Sequence, residues 1–424
     1  MTAHTSHLAS HHPSPSDSPL PPDVAGHAQV HWIQHGVAHS ARWRCERGSV
    51  PPQRVVMADD TTTADVAYRQ ACAGTAMLWE GDFQNARQLL QAMGRRCDAT
   101  PDRKRRKSAR QTAAVPTTMP QAFHRHRLAQ AQRARILGML LLPLAADYSL
   151  ALRRAPDVQQ ACTEAWGAAL AEDGSNVVSL RELLGMTSAQ EWRRVGVEVP
   201  ALGAAPGNRI YPHYGVFSPV RGEYIDLVAQ APLPPVAGNT HAAAVAFDIG
   251  TGSGVLAAVL ARRGVGQVVG TDQSPRALHC ARLNVQQLGV GHAVTLVQAD
   301  LFPPGQAALV VCNPPWLPAR AGSSIEQAVY DEDSRMLKGF LAGLAAHLLP
   351  QGEGWLILSD LAEHLGLRTR AELLALVADA GLAVLGRLDA RPRHGKATNP
   401  DDPLHAARAA EVTSLWRLGA ASGA

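Results

Sequence analysis

Four consecutive residues, Asn313-Pro314-Pro315-Trp316, have the types and spacing that most directly suggest chemistry. They follow an apolar run, Ala307 to Val311, that reads as a buried parallel strand. At a strand's carboxyl end, the Asn side-chain oxygen and the Pro314 carbonyl can each accept a hydrogen bond from a flat group bearing NH2. The prolines stiffen the backbone and bring no competing N–H. Trp316 offers a face for stacking. The quartet is short, and a Pro-rich turn with a Trp packed beneath it is the plainer reading of these residues alone.

The elements upstream decide between the two. Ala243 to Phe247 is an apolar run that ends in Asp248-Ile249-Gly250-Thr251-Gly252-Ser253-Gly254, and an Ala/Leu/Val-rich segment at helical spacing follows to Arg263. Strand, Gly-rich turn and helix begin a doubly wound α/β unit, whose ligands sit outside the strand carboxyl ends. The pattern is G-x-G-x-G, with Val255 where a dinucleotide fold places its third glycine and no Lys to make a P-loop. Asp248 would be awkward beside a pyrophosphate but suits a ligand with positive charge, such as a sulfonium or an amino group. A second strand, Val268 to Asp272, ends in an acid that can accept both hydroxyls of a ribose, or cap the helix opened by Ser274-Pro275. A third, Val294 to Phe302, ends in Asp300-Leu301-Phe302, where an acid could accept from an adenine amino group and a ring could cover it; a turn with a core Phe competes.

In this order and spacing the elements resemble the class I S-adenosylmethionine-dependent methyltransferases. The likeness is closest to the branch that methylates planar nitrogens: the HemK/PrmC-type protein-glutamine enzymes and the "small domain" adenine-N6 and guanine-N2 nucleic-acid enzymes. Asn313 to Trp316 matches that branch's [Asn/Asp]-Pro-Pro-[aromatic] motif, with Trp for the usual Tyr or Phe. Asp248 to Gly254 matches the glycine loop, Asp272 the ribose acid, and Asn284 a position common after it. Phe217 to Tyr224 resembles a short Pro-containing segment of the HemK-type group. The likeness runs from about Arg209 to Leu418. It implies an α/β, Rossmann-like seven-stranded domain of order 3-2-1-4-5-7-6 with its last strand antiparallel. It also implies S-adenosyl-L-methionine as cofactor, held by Asp248, Gly250, Thr251, Gly252, Gly254, Asp272, Gln273, Asp300, Leu301, Phe302 and Asn313, with Asn313, Pro314, Pro315 and Trp316 as the catalytic clamp.

Composition sets the surroundings. A chain of 424 residues suggests two or three domains, and an apolar share of 46% suffices for globular cores. Cys45, Cys72, Cys97, Cys162, Cys280 and Cys312 show neither C-x-x-C nor metal spacing, which points to reduced thiols in a cytoplasm and to no structural metal. A net charge of +4 identifies no partner. Ile136 to Ala146 is too short to span a membrane and contains Pro143. Residues 1–56, rich in His, Pro and Ser, read as a disordered tail in which His4, His7, His11 and His12 have no scaffold for a metal, and Met57 is an alternative start. Residues 57–200 read as a mostly helical domain, with Trp79 to Asp82 joining two helices, two or three more helices over 121–171, and a basic linker near 102–120 that contains Arg103 to Lys107; in size class alone it resembles the substrate-recognition domains fused to such methyltransferases. The methyltransferase domain is expected over 201–418. Its polar loop from Gly322 to Asp333 precedes a helix capped by Asp333 or Ser334, and its basic loop runs from Arg391 to Arg408.

The expected activity is methyl transfer to a planar nitrogen of a macromolecule: a glutamine amide in a release-factor-like protein, or a base in RNA or DNA. Phe217 to Tyr224 favours protein, whereas the basic run and loop favour nucleic acid. Hydrogen bonds to Asn313 and Pro314 would direct the nitrogen lone pair, and no Asp or His base is required. The rival readings are a non-catalytic cofactor- or RNA-binding module and an NAD-dependent dehydrogenase; the latter is disfavoured by Val255 and the Pro-Pro pair.

Overall fold

The computed structural model of the chain describes residues 27–108, 118–170, 174–235, 244–322, 324–392 and 402–421. Its first half builds a mixed sheet from β1 (Gln29–Gln34), β2 (Val37–Arg44), β3 (Arg54–Ala58), β4 (Thr75–Trp79), β5 (Leu140–Leu144) and β6 (Asn176–Ser179), in the order β1-β2-β6-β5-β4-β3. Helices predominate over 57–200, as the mostly helical domain expected there requires, but the sheet they accompany was not expected. The sheet corrects the disordered tail over 29–56, which supplies two strands and opens a third; His4, His7, His11 and His12 lie outside the described residues. The physical reason lies in burial. Every residue of β4 and β6 is buried, so neither shows the alternation of a strand with one exposed face. Period alone cannot separate such segments from buried helix.

Trp79 to Asp82 therefore joins a strand to the helix Phe83–Ser108 rather than two helices. The Arg103 to Lys107 run belongs to that helix rather than to a linker, and the next helix, Met119–Leu137, opens with a Thr118–Gln121 capping box. Two helices lie between 118 and 170, with β5 between them. Among the described residues no helix is long and apolar enough to cross a membrane.

A short antiparallel pair, β7 (Val197–Glu198) and β8 (Arg209–Ile210), leads into the second half. There β9 (Val245–Ile249), β10 (Gln267–Asp272), β11 (Val294–Gln298), β12 (Ala307–Cys312), β13 (Leu348–Ser359), β14 (Leu382–Ala390) and β15 (Thr413–Ala420) form one sheet ordered β11-β10-β9-β12-β13-β15-β14. Counted within the sheet this is 3-2-1-4-5-7-6, and the last strand is antiparallel to both neighbours. Helices cover both faces, so β12 buries all six of its residues. Leu309 and Val311 enter one core with Val259 and Trp355, while Val310 and Cys312 enter the other with Phe340 and Leu356. This is the period-two alternation of a strand covered on both sides.

The two halves meet along the helix Met119–Leu137. Its Phe123 is buried in a cluster with Leu317, Leu361 and Leu404. Its Arg127 donates to the Arg320 carbonyl (2.5 Å), lies 4.0 Å from the Tyr330 ring centre and sits 3.8 Å from Glu326. The segment after the Pro-Pro pair is thus held from the first half of the chain. Phe123→Ala should cost about 3–5 kcal/mol of stability in denaturant unfolding and expose the Leu317–Tyr330 segment to protease. A cost below about 1 kcal/mol would show that this cluster is not a core.

Candidate functional site

The sheet reverses direction of growth at its centre: β10 and β11 lie on one side of β9, and β12 onward on the other. Helices leave such a switch point on opposite faces and open a crevice at the strand carboxyl ends. Val311 pairs with Asp248 and Cys312 with Ile249, so Asn313 emerges level with Gly250. A cavity of about 1360 Å³ opens there; Gly250, Asp272, Asp300, Asn313 and Trp316 line it, and Trp166 contributes a wall from the first half. The volume exceeds the roughly 300–1,000 Å³ of a typical small-ligand pocket.

Asp248 is buried beneath the glycine turn. Its Oδ2 accepts from Thr251 Oγ1 (2.6 Å) and from the Ala257 N–H (3.0 Å), tying the strand end to the turn and to the first turn of the helix Val255–Arg262. Burial pushes this carboxyl up to about 6; the two hydrogen bonds oppose the rise and the Asp272 carboxylate adds to it. Two glycines have a specific reason. Gly250 (φ +70°) carries no Cβ where one would lie 2.6 Å from Met336 Cε, and at Gly254 (φ +80°) a Cβ would lie 3.1 Å from Ala281. Asn284, also buried, braces the turn by donating to the Ser253 carbonyl (3.0 Å) and accepting from the Tyr211 N–H (2.8 Å).

Asp272 ends β10 with one oxygen accepting from the Gly252 N–H (3.1 Å) and the other from the Ser274 N–H (2.9 Å). Burial raises its carboxyl too. Each oxygen keeps a lone pair for a hydroxyl. Ser274 separately caps the helix Pro275–Gln287, so the acid and the cap coexist. Asp300 lies at the cavity mouth, exposed, held by Gln273 and by Arg335 (2.7 Å). Leu301 adopts φ +75° with its carbonyl accepting from Thr271 Oγ1 (2.5 Å), and it lines the cavity.

Phe302 is placed elsewhere. It stacks on His347 (4.2 Å between ring centres) and Phe340 (5.9 Å), beneath the helix Arg335–His347 and outside the cavity lining. This corrects its expected role as a ring cover: Leu301 and Phe302 both pack against that helix, Leu301 at Gly339 and Phe302 at Gly343, and of the two only Leu301 also lines the cavity. That helix is capped by Asp331, not Asp333 or Ser334. The Asp331 carboxylate accepts from the Met336 (3.0 Å) and Leu337 (3.1 Å) N–H groups, while Asp333 and Ser334 adopt positive φ.

In the Pro-Pro segment, Asn313 Oδ1 accepts from Trp316 Nε1 (2.9 Å). One face of the Trp316 ring carries the Arg221 guanidinium, 4.7 Å from the ring centre, so only the remainder of the ring is open to a ligand. Arg221, Asp331 and the Arg44–Tyr148–Trp166 wall all line the cavity without having been assigned roles from sequence. Arg221 had a signal in the Phe217 to Tyr224 segment; the wall had none, because its residues lie on elements that read as helical or disordered.

Residues 207–369 match the family model described as methyltransferase small domain. Over 99 residues the chain is 39% identical to the release factor glutamine methyltransferase of Geobacter sulfurreducens, covering 22% of this chain and 34% of that one. Over 117 residues it is 35% identical to the ribosomal protein uL3 glutamine methyltransferase of Bordetella pertussis, covering 26% and 39%. A solved methyltransferase from Pyrococcus furiosus aligns over 55% of this chain and 96% of its own at 16% identity and a TM-score of 0.35. The chain spans between a third and two fifths of the length of these two curated relatives.

The burial of Asp248 carries a signed pH effect. Its folded-state pKa of about 6 lies above the ordinary 3.8, so the folded chain holds this proton more tightly. Stability is therefore lost as pH rises through that window, by up to about 3 kcal/mol for this one group. Asp248→Asn should stabilise the ligand-free protein relative to the parent at pH 7 but hardly at pH 4, as read by urea unfolding. A difference that does not change with pH would overturn this assignment.

Proposed function

We propose that this chain, whose residues 207–369 form a methyltransferase small domain, transfers a methyl group from S-adenosylmethionine to the side-chain amide nitrogen of a protein glutamine. The observation that carries the reading is the shared cavity: Asn313 and Pro314 stand at the end of β12, beside the strand whose end holds Asp248 and the glycine turn.

The donor set suits this cofactor. Gly250 and Gly252 bring bare backbone to the cavity wall, with Met336 close over Gly250, Asp272 keeps lone pairs for a ribose, and Asp248 and Asp272 together favour a cationic ligand over a pyrophosphate. Asp300 and the backbone at Leu301 are the candidates for the adenine edge, with Leu301 and Met336 as the apolar cover expected of Phe302. Bound there, the cofactor supplies a methyl group on a sulfonium, open to in-line displacement.

The chain's residues act on the acceptor. An amide nitrogen is a weak nucleophile because its lone pair is delocalised into the carbonyl. Asn313 Oδ1 and the Pro314 carbonyl accept from its two N–H bonds, turn the lone pair toward the donor and meet the positive charge that grows on nitrogen. Orientation provides the larger share, for which about 7–11 kcal/mol is available, against about 1 kcal/mol for a neutral hydrogen bond. The nitrogen gains the methyl group and loses one proton, whose acidity the new bond raises, so no carboxylate or imidazole base is needed.

A glutamine is favoured over a nucleobase for two reasons. Both curated relatives above are named for glutamine methylation. Several cations that line the cavity are also paired with carboxylates: Arg408 of the basic loop with Asp402 (2.8 Å), Arg335 with Asp300 and Arg276 with Glu46 (2.9 Å). Residues 393–401 of that loop lie outside the described residues.

The test is labelled cofactor added, with this protein, to a lysate of cells lacking its gene. Label in a protease-sensitive polymer supports the reading, whereas label lost to nuclease alone would overturn the choice of glutamine. Asn313→Ala should lower turnover by at least about 100-fold while leaving the calorimetric affinity for S-adenosylmethionine within a few-fold of the parent. Unchanged turnover, or tighter binding of NAD than of S-adenosylmethionine, would refute the mechanism.

A further inference from the structure

We infer that Trp316 and Arg221 are positioning residues that hold the Asn313 carboxamide in one of its two rotational states, with the oxygen fixed as the acceptor. The inference rests on the methyl-transfer reading above and concerns residues that act on Asn313 rather than on the acceptor directly.

A carboxamide at a strand end can turn half a revolution and exchange its oxygen for its NH2 group. In one state it accepts from an acceptor nitrogen; in the other it presents donors to donors and repels it. The indole Nε1–H only donates. Standing 2.9 Å from the end of the Asn313 side chain, it fixes that end as oxygen. The second lone pair of Oδ1 is left for an N–H of the target. The motif's usual Tyr or Phe would keep an aromatic face but has no ring N–H to perform this selection.

The ring needs its own support, because an indole that tips takes its N–H away. Arg221 supplies it. Its guanidinium lies over the ring at 4.7 Å, as a cation–π pair prefers. It is held by Glu223 Oε1 (2.7 Å) and Glu411 Oε1 (3.0 Å), both carboxylates being buried. Glu411 is anchored in turn by Ser359 Oγ (2.7 Å), at the end of β13. The entry to the helix Glu223–Gln230, the end of β13 and the end of the helix His405–Ala410 thus converge on one ring and, through it, on one amide. This gives the Phe217 to Tyr224 segment a task in the site: it delivers Arg221.

Trp316→Phe isolates the N–H, since it keeps a ring beneath Arg221. We expect turnover at saturating substrate to fall roughly 10- to 100-fold, with KM and cofactor affinity within about three-fold of the parent. Arg221→Lys keeps the charge between the two carboxylates but loses the planar stack. It should lower turnover less and add little further in the Trp316→Phe background. The direct readout is the 15N-resolved indole N–H of Trp316 in the full chain. Its exchange with solvent should be slow in the parent and at least about ten-fold faster in Asn313→Leu. Turnover of Trp316→Phe within two-fold of the parent, a KM effect without a kcat effect, or an indole proton indifferent to Asn313→Leu would each overturn the inference. Absence of methyl transfer by the parent would refute the functional reading alone, because the indole measurement still decides whether Trp316 holds Asn313.

Discussion

One buried carboxylate organises the centre of this molecule. Asp248 Oδ2 takes a hydroxyl from within the glycine turn and an N–H from the helix beyond it, so strand, turn and helix share one acceptor. The neighbouring strand joins through Asp272, whose oxygen accepts from Gly252 in the same turn. Burying an acid this way is unfavourable, as its raised proton affinity records. The two hydrogen bonds to Asp248 nonetheless tie the turn to the strand below and the helix beyond. Three glycine residues at positive φ have no side chains to pin them, and the aspartates do that work from beneath and beside.

The same constraint explains why the second half of the chain could be read from residues alone. A carboxylate before a run of alternating glycines, a second acid at the end of the next strand, and Asn-Pro-Pro-Trp after a fully apolar strand each require a particular backbone conformation at a strand end. Such requirements leave marks in sequence. The marks failed where tertiary packing chose between equivalent candidates. Leu301 and Phe302 are adjacent, apolar and packed on the same core, and only tertiary packing decides which of them also faces the cavity. Asp331, Asp333 and Ser334 are all capping types, and only the backbone turn between them selects Asp331.

The first half was misread for a different reason. Its central strands are four or five residues long and buried on both sides, so they lack the alternation that identifies a strand with one wet face. Its outer hairpin, β1 and β2, reverses at His35-Gly36 with both residues at positive φ and carries His, Gln and Trp rather than aliphatic runs, so it resembled the polar segment before it. Arg44 shows what was hidden. It donates to Asn176 Oδ1 (2.8 Å) and to the Tyr148 hydroxyl (3.1 Å), partners more than 100 residues away, and no local pattern encodes such a set.

The contact between Arg127 and the Arg320 carbonyl spans 193 positions of chain. It ties the first half to the middle of the central sheet, because residue 320 follows the strand β12. The partners of Phe123 in this cluster, Leu317, Leu361 and Leu404, are all made 194 or more positions after it during synthesis. Once docked, neither half retains a complete surface of its own: Leu317, Leu361 and Leu404 on one side and Phe123 on the other make a shared seam. A chain cut between the halves would leave that seam wet on both fragments, and such apolar surfaces draw fragments into aggregates rather than into independently working parts.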